Sequence, residues 1–131
     1  MKKLMMVLFV ATTVLASCSK ESKLNRKIDG TWDVVTISGV APSAFGVTTF
    51  TIAFSKDKKG KGTYTTTMVG ATGTDTGTGT YELTDDTKIT MTNTPDAGEV
   101  ATADVSTVTD YSKTDMTLTD SDNAVIVLKK K

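Results

Sequence analysis

The sequence predicts an all-β domain, an eight-stranded antiparallel up-and-down barrel, on three observations. Beyond residue 30 the chain is rich in threonine, valine and isoleucine, whose branched side chains favour extended backbone. Apolar and polar residues alternate with a period of two. Short clusters of glycine, aspartate and asparagine separate the runs, as hairpin turns require. No stretch beyond residue 17 has convincing helical periodicity.

The strands are expected at Thr31–Ser38, Val47–Ser55, Gly62–Val69, Thr76–Thr84, Lys88–Asn93, Glu99–Thr109, Thr114–Thr119 and Asn123–Lys130. In the second, Phe50, Ile52 and Phe54 share one face and Thr49, Thr51 and Ala53 the other. In the third, Tyr64, Thr66 and Met68 oppose Thr63, Thr65 and Thr67. Tyr81 with Leu83, Ile89 with Met91, and Met116 with Leu118 continue the pattern of one buried and one solvated face. The sixth strand switches phase between Val105 and Val108, which predicts a bulge. The Gly70–Thr80 run is of low complexity and reads as a loop entering a strand. The links at Lys56–Lys61, Asp85–Thr87, Asp110–Lys113 and Asp120–Asp122 are short, so sequential strands neighbour each other. A meander leaves two bare edges unless it closes, and closure is the reason to prefer a barrel. A β-sandwich is the alternative.

The N-terminus is organised differently. Lys2 and Lys3 precede an apolar run, Leu4–Leu15, too short to cross a bilayer that needs ~20 helical residues. Small residues Ala16 and Ser17 then lead to Cys18, the only cysteine. Leu15-Ala16-Ser17-Cys18 resembles the lipobox of bacterial lipoproteins, in which a signal peptidase cuts before the cysteine and lipid is attached to it. An ordinary secretory signal with an incidental cysteine is the plainer alternative. The resemblance implies a signal peptide at 1–17, a palmitate-bearing lipid anchor on Cys18, a tether at 18–28, disordered or loosely helical, and a β domain at 29–131. Ser19 stands where an aspartate would resemble an inner-membrane retention signal, which favours the outer membrane of a Gram-negative cell. The anchor makes the membrane the first expected partner.

Charge and composition exclude several classes. The chain has 15 basic and 15 acidic residues, and loss of Lys2 and Lys3 leaves 13 against 15, a net charge of −2. Nothing here supports nucleic-acid binding. With one cysteine there is no internal disulfide. Histidine is absent, which removes Ser-His, Cys-His and most zinc constellations together. Asp85-Asp86 sit side by side, so on a strand they would diverge. Asp120-Ser121-Asp122-Asn123 hints at calcium, but Ala124 breaks the EF-hand pattern and turn chemistry accounts for it. The expectation is a non-enzyme with no cofactor and no metal, and with no catalytic residues.

Two short elements add a resemblance. Gly30-Thr31-Trp32 opens the first strand, and Thr109-Asp110-Tyr111 lies in the link after the sixth. Together they resemble the Gly-X-Trp and Thr-Asp-Tyr elements of lipocalins and their calycin relatives. The resemblance implies that Gly30, Trp32, Thr109, Asp110 and Tyr111 build the closed end of the barrel. It also implies a cation over the tryptophan, for which Lys129 or Lys130 is available in place of the usual arginine. The chain is similar to small lipocalin-like bacterial lipoproteins. It departs from larger lipocalins in its short first loop, Gly39–Gly46, and in having no C-terminal helix. The helical lid and Arg-X-Tyr clamp of fatty-acid-binding proteins are missing.

A meander places the basic residues at the tethered end and Asp75, Asp96, Glu99, Asp120 and Asp122 at the opposite rim. The basic end would then rest near anionic headgroups. An acidic mouth disfavours anionic ligands and suits a small apolar molecule, neutral or cationic. The residues expected to face the cavity are Val34, Phe50, Ile52, Phe54, Tyr64, Met68, Tyr81, Leu83, Ile89, Met91, Leu118, Ile126 and Leu128. They would line a pocket or fill an eight-stranded barrel outright. The first outcome makes the protein a ligand-binding module of the cell envelope. The second makes it a structural or interaction lipoprotein, contacting another envelope protein or a glycan through rim residues such as Phe45.

Overall fold

The computed structural model describes Leu24 and residues 26–58, 60–84 and 87–131. Residues 1–17, where a signal peptide is expected, Cys18 and Asp85-Asp86 lie outside the described residues. The strands are β1 (Gly30–Ile37), β2 (Val47–Lys58), β3 (Lys61–Gly70), β4 (Gly73–Thr84), β5 (Lys88–Asn93), β6 (Ala103–Tyr111), β7 (Asp115–Thr119) and β8 (Val125–Lys130). Each pairs antiparallel with the next, and β8 pairs with β1, so the sheet is a closed barrel in sequence order. The sandwich alternative is thereby excluded. Closure sets Trp32 opposite Lys130 and Val34 opposite Leu128. No edge runs the length of the sheet, as the short links require.

Three expectations about the chain's course are corrected. The strand expected to begin at Thr76 begins at Gly73, so only the tight turn at 71–72 remains of the loop, and β4 pairs with β3 from Gly73 to Glu82. Its glycines serve the interior. A Cβ on Gly79 would meet the Tyr64 ring at 2.6 Å, and one on Gly62 would meet Tyr81 at 2.7 Å. Register pairs Tyr64 with Gly79 and Gly62 with Tyr81, so each ring covers the glycine across from it. The sixth strand starts at Ala103 instead of Glu99, and residues 94–102 form a rim loop. No bulge separates Val105 from Val108: pairing with β5 is regular from Ala103 to Thr107, Val105 faces out and Val108 in, and the register shift lies further on, between Val108 and Asp110.

The third correction concerns the tether. It was expected to extend to Ile28, outside the domain. Leu24 and residues 26–28 are helical, one of the two forms expected, but Leu24 and Ile28 are buried in the barrel's core and not outside it. The reason is a hole to fill. Trp32 stands at the base, fully buried, and its Nε1–H donates to the Ile28 carbonyl at 2.7 Å. An indole N–H left unpaired there would cost about 1–3 kcal/mol. The helical turn satisfies it and covers the ring with aliphatic carbon.

The core is one cluster. Leu24, Ile28, Trp32, Phe54, Leu83, Ile89, Val108, Met116 and Leu128 belong to it, and Val34, Ile52, Tyr64, Tyr81 and Leu118 complete it. Phe54 and Tyr81 meet edge to face at 5.4 Å, a favourable aromatic arrangement. Above them Ile37, Phe50, Met91 and Ile126 are only partly buried. The barrel is therefore solid below and loosens toward the mouth.

Candidate functional site at the open rim

The two ends of the barrel differ in construction. The base is shut by side chains from the helical turn, β1, β6 and β8. Lys130 donates from Nζ to the Lys27 carbonyl at 3.1 Å and lies 5.2 Å from the Trp32 ring centre. Of the two expected cations, Lys130 is the one over the tryptophan; Lys129 is exposed. Gly30 takes φ +120°, and a Cβ there would meet the Lys130 stem at 2.9 Å. A side chain at position 30 would displace the lysine. Tyr111 is half-buried, packs on the core, and has Lys27 Nζ 4.9 Å over its ring. Thr109 and Asp110 are exposed. The Thr109 hydroxyl donates to the Thr117 carbonyl at 3.3 Å across the bulge.

The expected cavity residues divide by height. Val34, Ile52, Phe54, Tyr64, Tyr81, Leu83, Ile89, Leu118 and Leu128 are buried against one another in the core cluster. Phe50, Met91 and Ile126 pack on its upper surface. Only Tyr64 and Met68 also border a described hollow at the mouth. A hollow of about 410 Å³ lies above Tyr64, bordered by Thr66, Thr76, Gly77, Thr78, Asn93 and Thr94, with Asp96 and Glu99 at its edge. A second, of about 400 Å³, lies between Phe45 and Met68, with Val47 and Asp75 beside them.

The first hollow owes its shape to unequal strands. β4 runs from Gly73, but β5 ends at Asn93, opposite Gly79. The upper part of β4 therefore has β3 on one side and the loop on the other. The Thr94 N–H donates to the Thr78 carbonyl at 2.8 Å, fastening the loop's root. Asn93 Oδ1 accepts from the Thr102 N–H at 2.6 Å and from its hydroxyl at 3.0 Å, fastening the other end. The Glu99 N–H donates to the Asp96 carbonyl at 3.0 Å, closing a turn that holds both carboxylates on the same short arc. The Thr66 hydroxyl has only a long bond, 3.4 Å, to the Gly77 carbonyl. Burial pushes the Tyr64 phenol above its ordinary value, so it is a neutral donor at physiological pH.

Sequence reasoning passed over Thr66 and Asn93 as site residues because only apolar positions were sought. The alternation carries the signal for both: Thr66 shares the face of Tyr64 and Met68, and Asn93 the face of Ile89 and Met91. The acidic turn at 120–123 is held by itself. Asp120 Oδ1 accepts from the N–H groups of Asp122 and Ala124 at 2.9 and 2.8 Å, and the Ser121 hydroxyl bonds Asp104 at 2.8 Å.

No family model matches the sequence, and no curated protein does. Solved structures do match in shape. A lipocalin-like protein from Bacteroides uniformis superposes with a TM-score of 0.60 at 16% identity, over 80% of this chain and 99% of that one. The fold is lipocalin-like. A redesigned β-barrel matches with a TM-score of 0.52, also at 16% identity, over 82% of this chain and 94% of its own. At such identities the shared property is the barrel, and this lipocalin-like chain's site rests on its own residues.

Proposed function

We propose that the protein is a lipid-anchored module of the outer membrane, acylated at Cys18, that holds a small neutral or cationic molecule at the mouth of its lipocalin-like barrel. The Tyr64 hollow carries this reading: an aromatic floor, hydroxyl and amide groups on the wall, and two carboxylates at the edge. An aromatic face and nearby carboxylates attract a cation together. Because the core beneath it is packed, the ligand sits in the hollow between Tyr64 and the rim loop and not along the axis. The module is a binder and not an enzyme: the chain has no histidine to serve as base, and the site needs none.

Native mass spectrometry of the purified full chain tests this. The expected result is a small molecule retained by the natural protein and lost from Asp96→Asn/Glu99→Gln. A bare chain in both samples refutes the ligand reading. Membrane attachment is tested separately: Cys18→Ser should abolish palmitate labelling and release the protein from the outer-membrane fraction.

The filled base favours a second reading, an interaction lipoprotein that meets an envelope protein or glycan. Phe45 is 67% exposed in the first loop and Val100 83% exposed in the loop after β5, both at the rim. In that case co-sedimentation with cell-wall fragments or purified envelopes falls on Phe45→Ser, while Asp96→Asn/Glu99→Gln has no effect.

A further inference from the structure

The helical turn under the barrel does more than cap Trp32. It brings Arg26 and Lys27 beside Lys113, from the turn between β6 and β7, and Lys130, from the end of β8. Among the described residues these four, all cationic, border a hollow of about 390 Å³, and no carboxylate borders it with them. Lys27, Lys113 and Lys130 form no ion pair among the described residues. Like charges gathered around one hollow repel, and an anion between them relieves that repulsion.

Two of the cations are held in place before any ligand arrives. Lys130 is fixed by the Lys27 carbonyl and the Trp32 ring, and Lys27 by the Tyr111 ring. Fixed donors lose little freedom on binding. The hollow is roomier than a bare phosphate requires, which leaves space for the group that carries it.

We propose that this closed-end hollow is a binding site for a phosphate monoester, its dianionic phosphate seated among Lys27, Lys113 and Lys130. The site is independent of the rim and of what the rim binds. Both a soluble phosphomonoester and the headgroup of phosphatidic acid have the required chemistry. The lipid is within reach if Cys18 is acylated, because the six residues from Cys18 to Leu24 span at most about 20 Å.

The test uses the purified full chain carrying Cys18→Ala, so that no acyl group confounds binding. Glycerol 3-phosphate is titrated while the Trp32 indole N–H and the Lys27 and Lys113 amides are followed by NMR. Flotation with phosphatidylcholine vesicles, with and without phosphatidic acid, is measured in parallel. Lys113 is exposed, so Lys113→Gln should leave the fold intact. Lys88, exposed at the same end but outside the hollow, supplies Lys88→Gln as a control of equal charge. Lys113→Gln should weaken binding roughly tenfold, the loss expected for one charge-assisted hydrogen bond. Lys88→Gln should change it less than about twofold, in keeping with a screened distant charge. Saturable shifts with glycerol 3-phosphate identify a soluble ester as sufficient. Binding only to phosphatidic-acid vesicles, with the same dependence on Lys113, identifies the lipid headgroup. The proposal is overturned if neither probe binds, if pure phosphatidylcholine binds equally, or if Lys88→Gln weakens binding as much as Lys113→Gln.

Discussion

Gly79→Ala is the most informative single substitution in this barrel, because Gly77→Ala, two residues away on the same face, is its internal control. A methyl at 79 would run into the Thr92 carbonyl of the paired strand and lie 2.6 and 2.7 Å from two atoms of the Tyr64 ring. The ring can turn, but the Thr92 carbonyl belongs to the backbone of β5 and cannot move without shifting the ladder. Overpacking of this kind costs ~1–3 kcal/mol, and a backbone obstacle puts Gly79→Ala at the upper end, about 3 kcal/mol. A domain of this size loses ~4–8 °C per kcal/mol, so the melting temperature should fall by roughly 12–24 °C. At Gly77 the new methyl would meet only the Thr66 hydroxyl, at 2.8 Å, which rotates aside. Gly77→Ala should stay within about 1 kcal/mol of the natural protein, since alanine also lowers the entropy of the unfolded chain. Urea unfolding followed by the fluorescence of Trp32, the sole tryptophan, measures both. Adding Tyr64→Ala to Gly79→Ala separates the two obstacles: removal of the ring should not restore stability if the carbonyl dominates. Equal stability of the two single variants would refute the account of why this strand carries glycine. Because Tyr64 also floors the rim hollow, Gly79→Ala should weaken ligand retention there even in whatever fraction remains folded.

The remaining predictions concern the base and the pH response. Leu24→Ala should cost ~2–4 kcal/mol in the same urea assay, because Leu24 is a buried part of the core; a change below about 0.5 kcal/mol would return residue 24 to the tether. Lys130→Ala should cost roughly 1–2 kcal/mol, from the hydrogen bond to Lys27 and the contact with Trp32, and should shift the tryptophan emission. Lys130→Met, which keeps the stem, should recover part of the stability but not the emission. Burial, with a smaller contribution from the Asp29 charge, pushes the Tyr81 phenol up to about 12. The unfolded chain loses that proton near pH 10, so between pH 10 and about 12 the folded state holds more protons and stability falls as pH rises. Below pH 10 this contribution is fully present. Tyr81→Phe should flatten the decline in melting temperature over that window, and an unchanged slope would mean that Tyr81 does not set it.

Much of the architecture is legible in the residues because a half-buried strand imposes a period of two that nothing else in the chain imitates. Phe50-Ile52-Phe54 and Ile89-Met91 mark their strands this way, and β5 is found at its expected limits. The short links make the order of strands follow the order of sequence. Where alternation is silent, the reading fails. Gly73–Thr80 has no apolar residue to alternate, so the strand expected from Thr76 misses its start at Gly73, and only the Tyr64 ring on β3 shows why Gly79 is strand there. The expected cavity residues face inward, but one face can line a void or fill it. That choice depends on summed volumes across eight strands, which no single strand contains.

The sequence by itself determined the β class, the meander, and the segregation of lysines from the acidic loops, because each follows from local periodicity, turn chemistry and strand count. Only the tertiary structure decided closure and the packing of the base. It made Leu24 and Ile28 core residues, and it gathered Arg26, Lys27, Lys113 and Lys130 around one hollow. Contacts such as Lys27 to Lys130 join residues 103 positions apart. They exist only once the last strand has met the first, and no local pattern encodes that meeting.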